Sequence, residues 1–224
     1  MLDAIELLSP DVLVLTEYVP GRDHERFIAD LKDLRFETPL ISQRAPKENQ
    51  VLIAARRACE AGAIRAPNLV SQSPPNFLEA RLPSFGLRVV GLRIPMFRKR
   101  EKTEERQYWE WLVSRANVWN TEPTLIIGDL NIDPTRNTWR AKELRSFTLM
   151  GWQIADPAGE WSYHGRGTGH SRIDHALVTN DIEIVSAAYR TKVGNILLAS
   201  GDGTALSDHA VLEVKISRPR PGTV

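Results

Sequence analysis

Cysteine is nearly absent. The chain of 224 residues holds one, Cys59, which excludes an internal disulfide framework and a cysteine-rich zinc site. An excess of charge is also missing: 29 Lys+Arg stand against 28 Asp+Glu, a net charge of +1. Bulk attraction to nucleic acid or anionic lipid is thereby excluded, and any polyanionic partner must be held locally. No run approaches the roughly 18 to 20 apolar residues of a membrane span, and the acidic start, MLDAIELLSPDVLVL, lacks the basic lead of a signal peptide. Together these absences predict a soluble, cytoplasmic protein. There is no internal repeat, and only the tail SRPRPGTV has a disordered composition.

With 42% hydrophobic residues the chain can bury a substantial core, and nothing divides it into halves, so one domain over residues 1–216 with a flexible tail at 217–224 is expected. Residues 2–8 carry the apolar stripe of a short helix, ended by Ser9-Pro10-Asp11. Val12-Leu13-Val14-Leu15 is a run of the kind found in strands buried on both faces. Residues 22–34 place Phe27, Ile28, Leu31 and Leu34 on one helical face. Short strands are expected at 40–43, 50–55, 76–82 and 87–94, with turns at 45–49 and 72–75 between them. A charged helix follows over 99–119, with Tyr108, Trp111, Leu112 and Ala116 as its buried stripe. Strand-like runs return at 124–127, 173–179, 182–187 and 211–216, with a Gly-rich loop at 164–170. Helices alternating with strands, some paired without a helix between them, predict a mixed α/β sandwich and not a purely parallel doubly wound sheet.

Polar residues fall where these strands end: Glu17, Asp129, Asn131, Asp174 and Asp208, with His209 beside the last. If the ends converge, they form a hard, oxygen-rich pocket suited to Mg²⁺ or Mn²⁺. Each has a plainer reading. A lone Glu17 is an ordinary loop residue. Asp129 and Asn131 can shape an Asx-turn, with Gly128 allowing the bend and Pro134 closing it, and taken alone that reading weighs as much as catalysis. Asp174 can be half of a surface ion pair with Arg172, and Ser207-Asp208 a loop turn. His209 is less easily dismissed, because it precedes an apolar strand that would hold its imidazole at the rim of a sheet.

GDLN at 128–131, SRIDHALVT at 171–179 and SDHAVLEV at 207–214, preceded by PDVLVLTEY at 10–18, resemble the motif set of the endonuclease/exonuclease/phosphatase superfamily, which includes deoxyribonuclease I-like nucleases and apurinic/apyrimidinic endonucleases. Any one motif is weak; four in order over nearly the whole chain are specific. The resemblance implies a four-layer α/β/β/α sandwich with two mixed β-sheets and metal-dependent cleavage of phosphate esters. It assigns Glu17 and Asp208 to the metal, Asp129 to the attacking water, Asn131 to a phosphate oxygen, His209 to general base or phosphate contact, and Asp174 to the orientation of His209. The chemistry agrees: a divalent ion neutralises phosphate oxygens, a carboxylate selects an imidazole tautomer, and an amide offers N–H without adding negative charge.

Two departures stand out. Members of the superfamily normally begin with a strand ending in asparagine that contributes to the metal site, whereas this sequence starts at the following helix; either part of the usual site is lacking or, as is expected, the start lies further upstream. In VVGLRIP at 89–95, Arg93 stands where relatives carry histidine or tyrosine. A guanidinium there can grip a phosphate; otherwise it pairs with an acid and balances charge. For substrate, the basic run Arg98, Lys99, Arg100 and Lys102, together with Trp139-Arg140 and the stretch from Trp161 to Arg166, gives DNA a modest lead. A phosphatase or phosphodiesterase acting on small or lipid-derived phosphate esters, and a catalytically silent binding protein, are the alternatives. The oligomeric state has no signature in the sequence.

Overall fold

The computed structural model describes residues 1–42, 48–69, 76–165 and 169–217. In chain order its helices are α1 (Leu2–Leu8), α2 (His24–Asp33), α3 (Lys102–Trp119) and α4 (Trp139–Ser146). Its strands are β1 (Val12–Tyr18), β2 (Leu40–Ile41), β3 (Gln50–Ala55), β4 (Glu60–Ala61), β5 (Phe77–Leu82), β6 (Leu87–Arg93), β7 (Thr124–Asp129), β8 (Trp152–Ile154), β9 (Tyr163–Gly165), β10 (Gly169–Ser171), β11 (Asp174–Thr179), β12 (Glu183–Arg190), β13 (Lys192–Val193), β14 (Ile196–Leu197) and β15 (Val211–Ser217). They fall into two compact units, Pro10–Asn131 and Met1–Ser9 with the described residues from Ile132 on.

In the unit Pro10–Asn131, β1, β3 and β2 form an antiparallel sheet in that order, with Val12 opposite Ala55 and Leu15 opposite Leu52. All six residues of β3, QVLIAA, are buried, as an apolar run covered on both faces requires. A second sheet orders β4, β5, β6 and β7, antiparallel except for the parallel pair β6–β7. The two sheets pack face to face at Gly91 of β6, where a Cβ would stand 2.8 Å from the methyls of Val14 and Val51. A residue without a side chain is what lets the sheets approach there. α3 packs against the second sheet through Trp111 and Trp119, whose rings lie 5.2 and 6.1 Å from Phe77 of β5. α2 buries Leu31 and stacks Phe27 on Tyr18 of β1 at 5.7 Å.

The stripe of α3 differs from expectation. It runs through Glu105, Tyr108, Trp109, Leu112, Ala116 and Trp119, while Trp111 is only half-buried. The i, i+3, i+4 spacing continues from Tyr108 through Leu112 to Trp119, so Trp109 belongs inside and Trp111 lies on the border. The first residues of the expected helix form a separate 3-10 turn, Lys99–Glu101.

In the other unit, β11 is buried at all six positions and pairs antiparallel with β8. β12 and β15 form a long antiparallel pair, and β9 and β10 a hairpin with His164 opposite His170. Tyr189, Ala199 and Ala210 form a small core flanked by Trp161 and Leu212. α4 escaped prediction because WRAKELRS buries only Ala141 and Leu144; its start is fixed by Thr138, whose side chain accepts from Ala141 N at 3.2 Å. Gln43 of the expected strand 40–43, residues 45–47 of the first expected turn, the whole turn at 72–75, residues 166–168 of the Gly-rich loop and 218–224 of the tail lie outside the described residues. Ser217, the first residue of that tail, closes β15. Among the described residues no helix is long and apolar enough to cross a membrane.

Candidate active site

Within the unit Pro10–Asn131, four of the expected residues are neighbours. Glu17 is the last residue but one of β1, at the strand end expected of it, where the pairing with β3 shifts register between Leu15 and Tyr18. Its φ of 54° is left-handed, a conformation that costs a non-glycine residue about 1 to 3 kcal/mol and concentrates at functional positions. Arg93 and Asp129 end β6 and β7 directly opposite one another. The Arg93 Nε is 2.7 Å from Glu17 Oε1 and 3.6 Å from Asp129 Oδ2, so the guanidinium bridges two carboxylates. Asn49 donates from Nδ2 to Glu17 Oε1 at 3.3 Å.

Asp129 is buried. Its Oδ1 accepts from the backbone N–H of Asn131 at 2.8 Å, and its Oδ2 from the Asn131 side chain at 2.9 Å. The Asx-turn is therefore present, and it clamps the carboxylate instead of competing with a role for it. Asn131 has φ 52°, which Asn tolerates better than most residues, and its Nδ2 also donates to Ile94 O at 2.8 Å. Both side-chain N–H groups are thus committed, and to hold a phosphate oxygen Asn131 must exchange one of them. Asp133 shapes the following turn, accepting from Thr135 N at 3.0 Å. Gly128 does more than bend the chain: a Cβ there would lie 1.9 Å from Leu92 O on β6, and its φ is 147°.

In the other unit Asp174 opens β11 and its Oδ2 lies 2.9 Å from His209 Nδ1. The pairing favours the tautomer with the proton on Nδ1 and fixes the ring plane. Arg172 is bonded elsewhere, to Asp156 at 2.8 Å and Pro157 O, so the surface-pair reading of Asp174 with Arg172 is corrected: Arg172 turns away and the imidazole takes the carboxylate. Asp174 is held from several sides. Ser162 Oγ accepts the backbone N–H groups of Ile173 and Asp174 at 2.8 and 3.0 Å, and Tyr189 donates its hydroxyl to Asp174 O at 2.7 Å. Burial pushes the Tyr189 phenol above its ordinary pKa, so it remains a donor. His209 donates its backbone N–H to Ser207 Oγ at 2.9 Å and meets the Tyr163 ring at 4.9 Å. Asp208 is exposed, and its backbone carbonyl accepts from His164 N at 2.9 Å.

Ser162, Tyr163 and Asn49 were not legible beforehand, being single polar or aromatic residues without a pattern. The aromatic and basic stretch at 161–166 resolves differently from the expectation of a mixed run: Trp161 lies 5.2 Å from both His164 and His170, and the two imidazoles are 4.3 Å apart. Glu17 supplies the hard oxygen that Mg²⁺ or Mn²⁺ prefers, with its side chain 44% exposed, so its chemistry fits the expected ion. Among the described residues no group of three or more His, Cys, Asp or Glu side chains stands ready to hold a metal.

The α/β fold with mixed sheets matches that of deoxyribonuclease I-like solved structures, as expected from the motifs. The model of the Endonuclease/Exonuclease/phosphatase family matches residues 1–209, and the chain belongs to that family of phosphate-ester hydrolases. Among solved structures it is similar to an AP endonuclease from Archaeoglobus fulgidus, with TM-score 0.75 and 17% identity over 96% of this chain and 91% of that one. A 3′ phosphatase, NExo, from Neisseria bound to a product DNA hairpin gives TM-score 0.71 and 18% identity over 96% and 93%. An endonuclease/exonuclease/phosphatase from Bacteroides vulgatus gives 0.66 and 14% over 97% and 88%. No curated protein matches the sequence.

Proposed function

We propose that the chain is a divalent-metal-dependent nuclease that hydrolyses phosphodiesters of DNA. The observation that carries the reading is the His209–Asp174 pair at 2.9 Å, because an imidazole oriented by a buried carboxylate is suited to proton transfer at its other ring nitrogen. In this reading His209 moves the proton or contacts the phosphate, and Asp174 holds its tautomer and offsets the positive charge it acquires. Asp129, pinned through both oxygens by Asn131, orients the attacking water. Arg93 is assigned to a non-bridging phosphate oxygen, for which its fork is well shaped, while its Nε stays beside Glu17. Glu17 and Asp208 are the residues assigned to Mg²⁺ or Mn²⁺, and when bound the ion supplies charge neutralisation at the phosphate and the leaving oxygen.

DNA is favoured over other esters by two lines of support. The similar structures include an AP endonuclease and a phosphatase bound to a DNA hairpin, and the Trp161, His164 and His170 rings form a surface on which bases can stack. The second reading, a phosphatase, is favoured by the 3′ phosphatase itself. A substrate panel separates them: plasmid, abasic duplex, single-stranded DNA, a 3′-phosphorylated duplex and a generic bis-aryl phosphodiester, each with Mg²⁺, Mn²⁺ or EDTA. Metal-dependent scission of a DNA strand supports the nuclease; release of terminal phosphate alone makes it a phosphatase. No turnover on any substrate would leave a silent binding protein and end the proposal.

A further inference from the structure

Outside this site, the unit Pro10–Asn131 contains a cavity of about 420 Å³ lined by Lys32, Arg35, Phe36, Glu37, Arg56 and Arg57. Four cations face one acid there, although the whole chain carries a net charge of only +1. They come from the end of α2, the turn after it and the end of β3, so the fold assembles them and no sequence run announces them.

Arg56 is fixed. Its Nε donates to Pro10 O at 2.9 Å, its Nη1 donates to Leu34 O at 2.7 Å, and its guanidinium lies 5.1 Å over the Phe36 ring. Lys32, Arg35 and Arg57 are exposed. The second observation is backbone strain. α2 ends in a Schellman motif: Phe36 N donates to Leu31 O at 3.0 Å and Arg35 N to Lys32 O at 2.8 Å, with Leu31 and Phe36 both fully buried. The residue after the C-cap of such a motif is left-handed and is normally glycine. Here it is Arg35, with φ 68°. A side chain is kept where none is favoured, and it is a cation that lines the cavity.

We infer that this cleft is a binding site for the phosphodiester backbone of nucleic acid, separate from the catalytic residues. The inference rests on the DNA reading above and adds a second contact for that polyanion, since the register of Val12 opposite Ala55 puts Arg56 and Arg57 at the end of this sheet away from Glu17. An open wall of exposed cations around one immobilised arginine suits an extended polyanion, since phosphate contacts give affinity without reading sequence. By contrast, one cation of the basic run at 98–102 is engaged within its own turn, where Arg100 Nε lies 3.6 Å from Glu101 Oε1.

The test uses the whole chain in EDTA, so that nothing is cleaved, with a fluorescent DNA duplex titrated by anisotropy across a salt series. Arg35→Gly raises Tm by about 2 °C by relieving the left-handed strain, and yet weakens duplex binding. Combined with Arg57→Gln it lowers affinity about tenfold and reduces the slope of log K against log[salt] by about 2. Turnover of the bis-aryl phosphodiester stays at the wild-type value in both. Unchanged affinity and slope in the double variant would overturn the inference. So would inorganic phosphate binding that is lost in the double variant while duplex binding is kept, an outcome assigning the cleft to a small phosphate ligand. Arg35-dependent duplex binding without DNA cleavage would sink the nuclease reading and leave the cleft standing.

Discussion

Replacing Asp174 by Asn changes one charge and little shape. The amide oxygen can still accept from His209 Nδ1 at the 2.9 Å position, so the ring stays oriented while the negative charge is lost. An imidazolium and a carboxylate about 4 Å apart attract by about 4 kcal/mol at an effective dielectric near 20. The His209 side chain is 24% exposed and that of Asp174 11%, and solvent access of that order reduces the figure to about 2 to 3 kcal/mol. Asp174→Asn therefore lowers kcat about 30- to 150-fold. His209→Ala costs more, on the order of 10² to 10⁴. The assay is single-turnover hydrolysis of the bis-aryl phosphodiester with Mg²⁺, run on both single variants and on Asp174→Asn/His209→Ala. Because Asp174 is argued to act only through His209, the double variant should be no slower than His209→Ala alone. Wild-type kcat in Asp174→Asn, or losses that multiply in the double variant, would refute the reasoning.

Arg93→Ala raises KM more than it lowers kcat; wild-type kinetics in that variant would remove Arg93 from the phosphate. Gly128→Ala forces a Cβ to within 1.9 Å of Leu92 O, a clash with backbone that cannot turn aside. The expected destabilisation is about 3 kcal/mol or more, read from urea unfolding, and a loss under 1 kcal/mol would contradict it. His175 is buried, with its Nε2 2.7 Å from Ile132 O, and burial holds its pKa below the ordinary value. The unfolded chain binds a proton at about pH 6.5 that the folded chain does not accept until lower pH. Stability supplied by this group is complete above that pH and declines as the pH falls through it. His175→Gln should therefore flatten the fall in Tm between pH 7.5 and 5.5, and an equally steep fall would assign the acid sensitivity elsewhere.

Much of the architecture was legible because long, apolar strands announce themselves. β3, β7 and β11 were all expected within two residues of their ends and β1 from its first residue, and the acids near the carboxyl ends of β1 and β7 followed from the same pattern, whereas Asp174 opens its strand. Short elements were not: β8, β9 and β10 have three residues each, too few for a period to register. Glu17 was expected at the carboxyl end of β1 and stands there, but sequence carries no signal for the register shift and the φ of 54° that go with it. The role of Arg93 divides in the same way. Its position at a strand end could be read, whereas its bridge between Glu17 and Asp129 depends on strands far apart in the chain. The cation cleft at Arg35, Arg56 and Arg57 was invisible for that reason too, since a run of basic residues at 98–102 drew the attention that a folded cluster of separate residues could not.

The central claim is that His209, held by Asp174, serves metal-dependent hydrolysis of a DNA phosphodiester. Cleavage of an abasic or nicked duplex by wild type and His209→Ala, each with Mg²⁺ and with EDTA, tests it most directly. The account predicts strand scission by wild type with Mg²⁺, abolished by EDTA and reduced at least about 100-fold in His209→Ala. Scission that persists undiminished in His209→Ala, or that ignores EDTA, would contradict it.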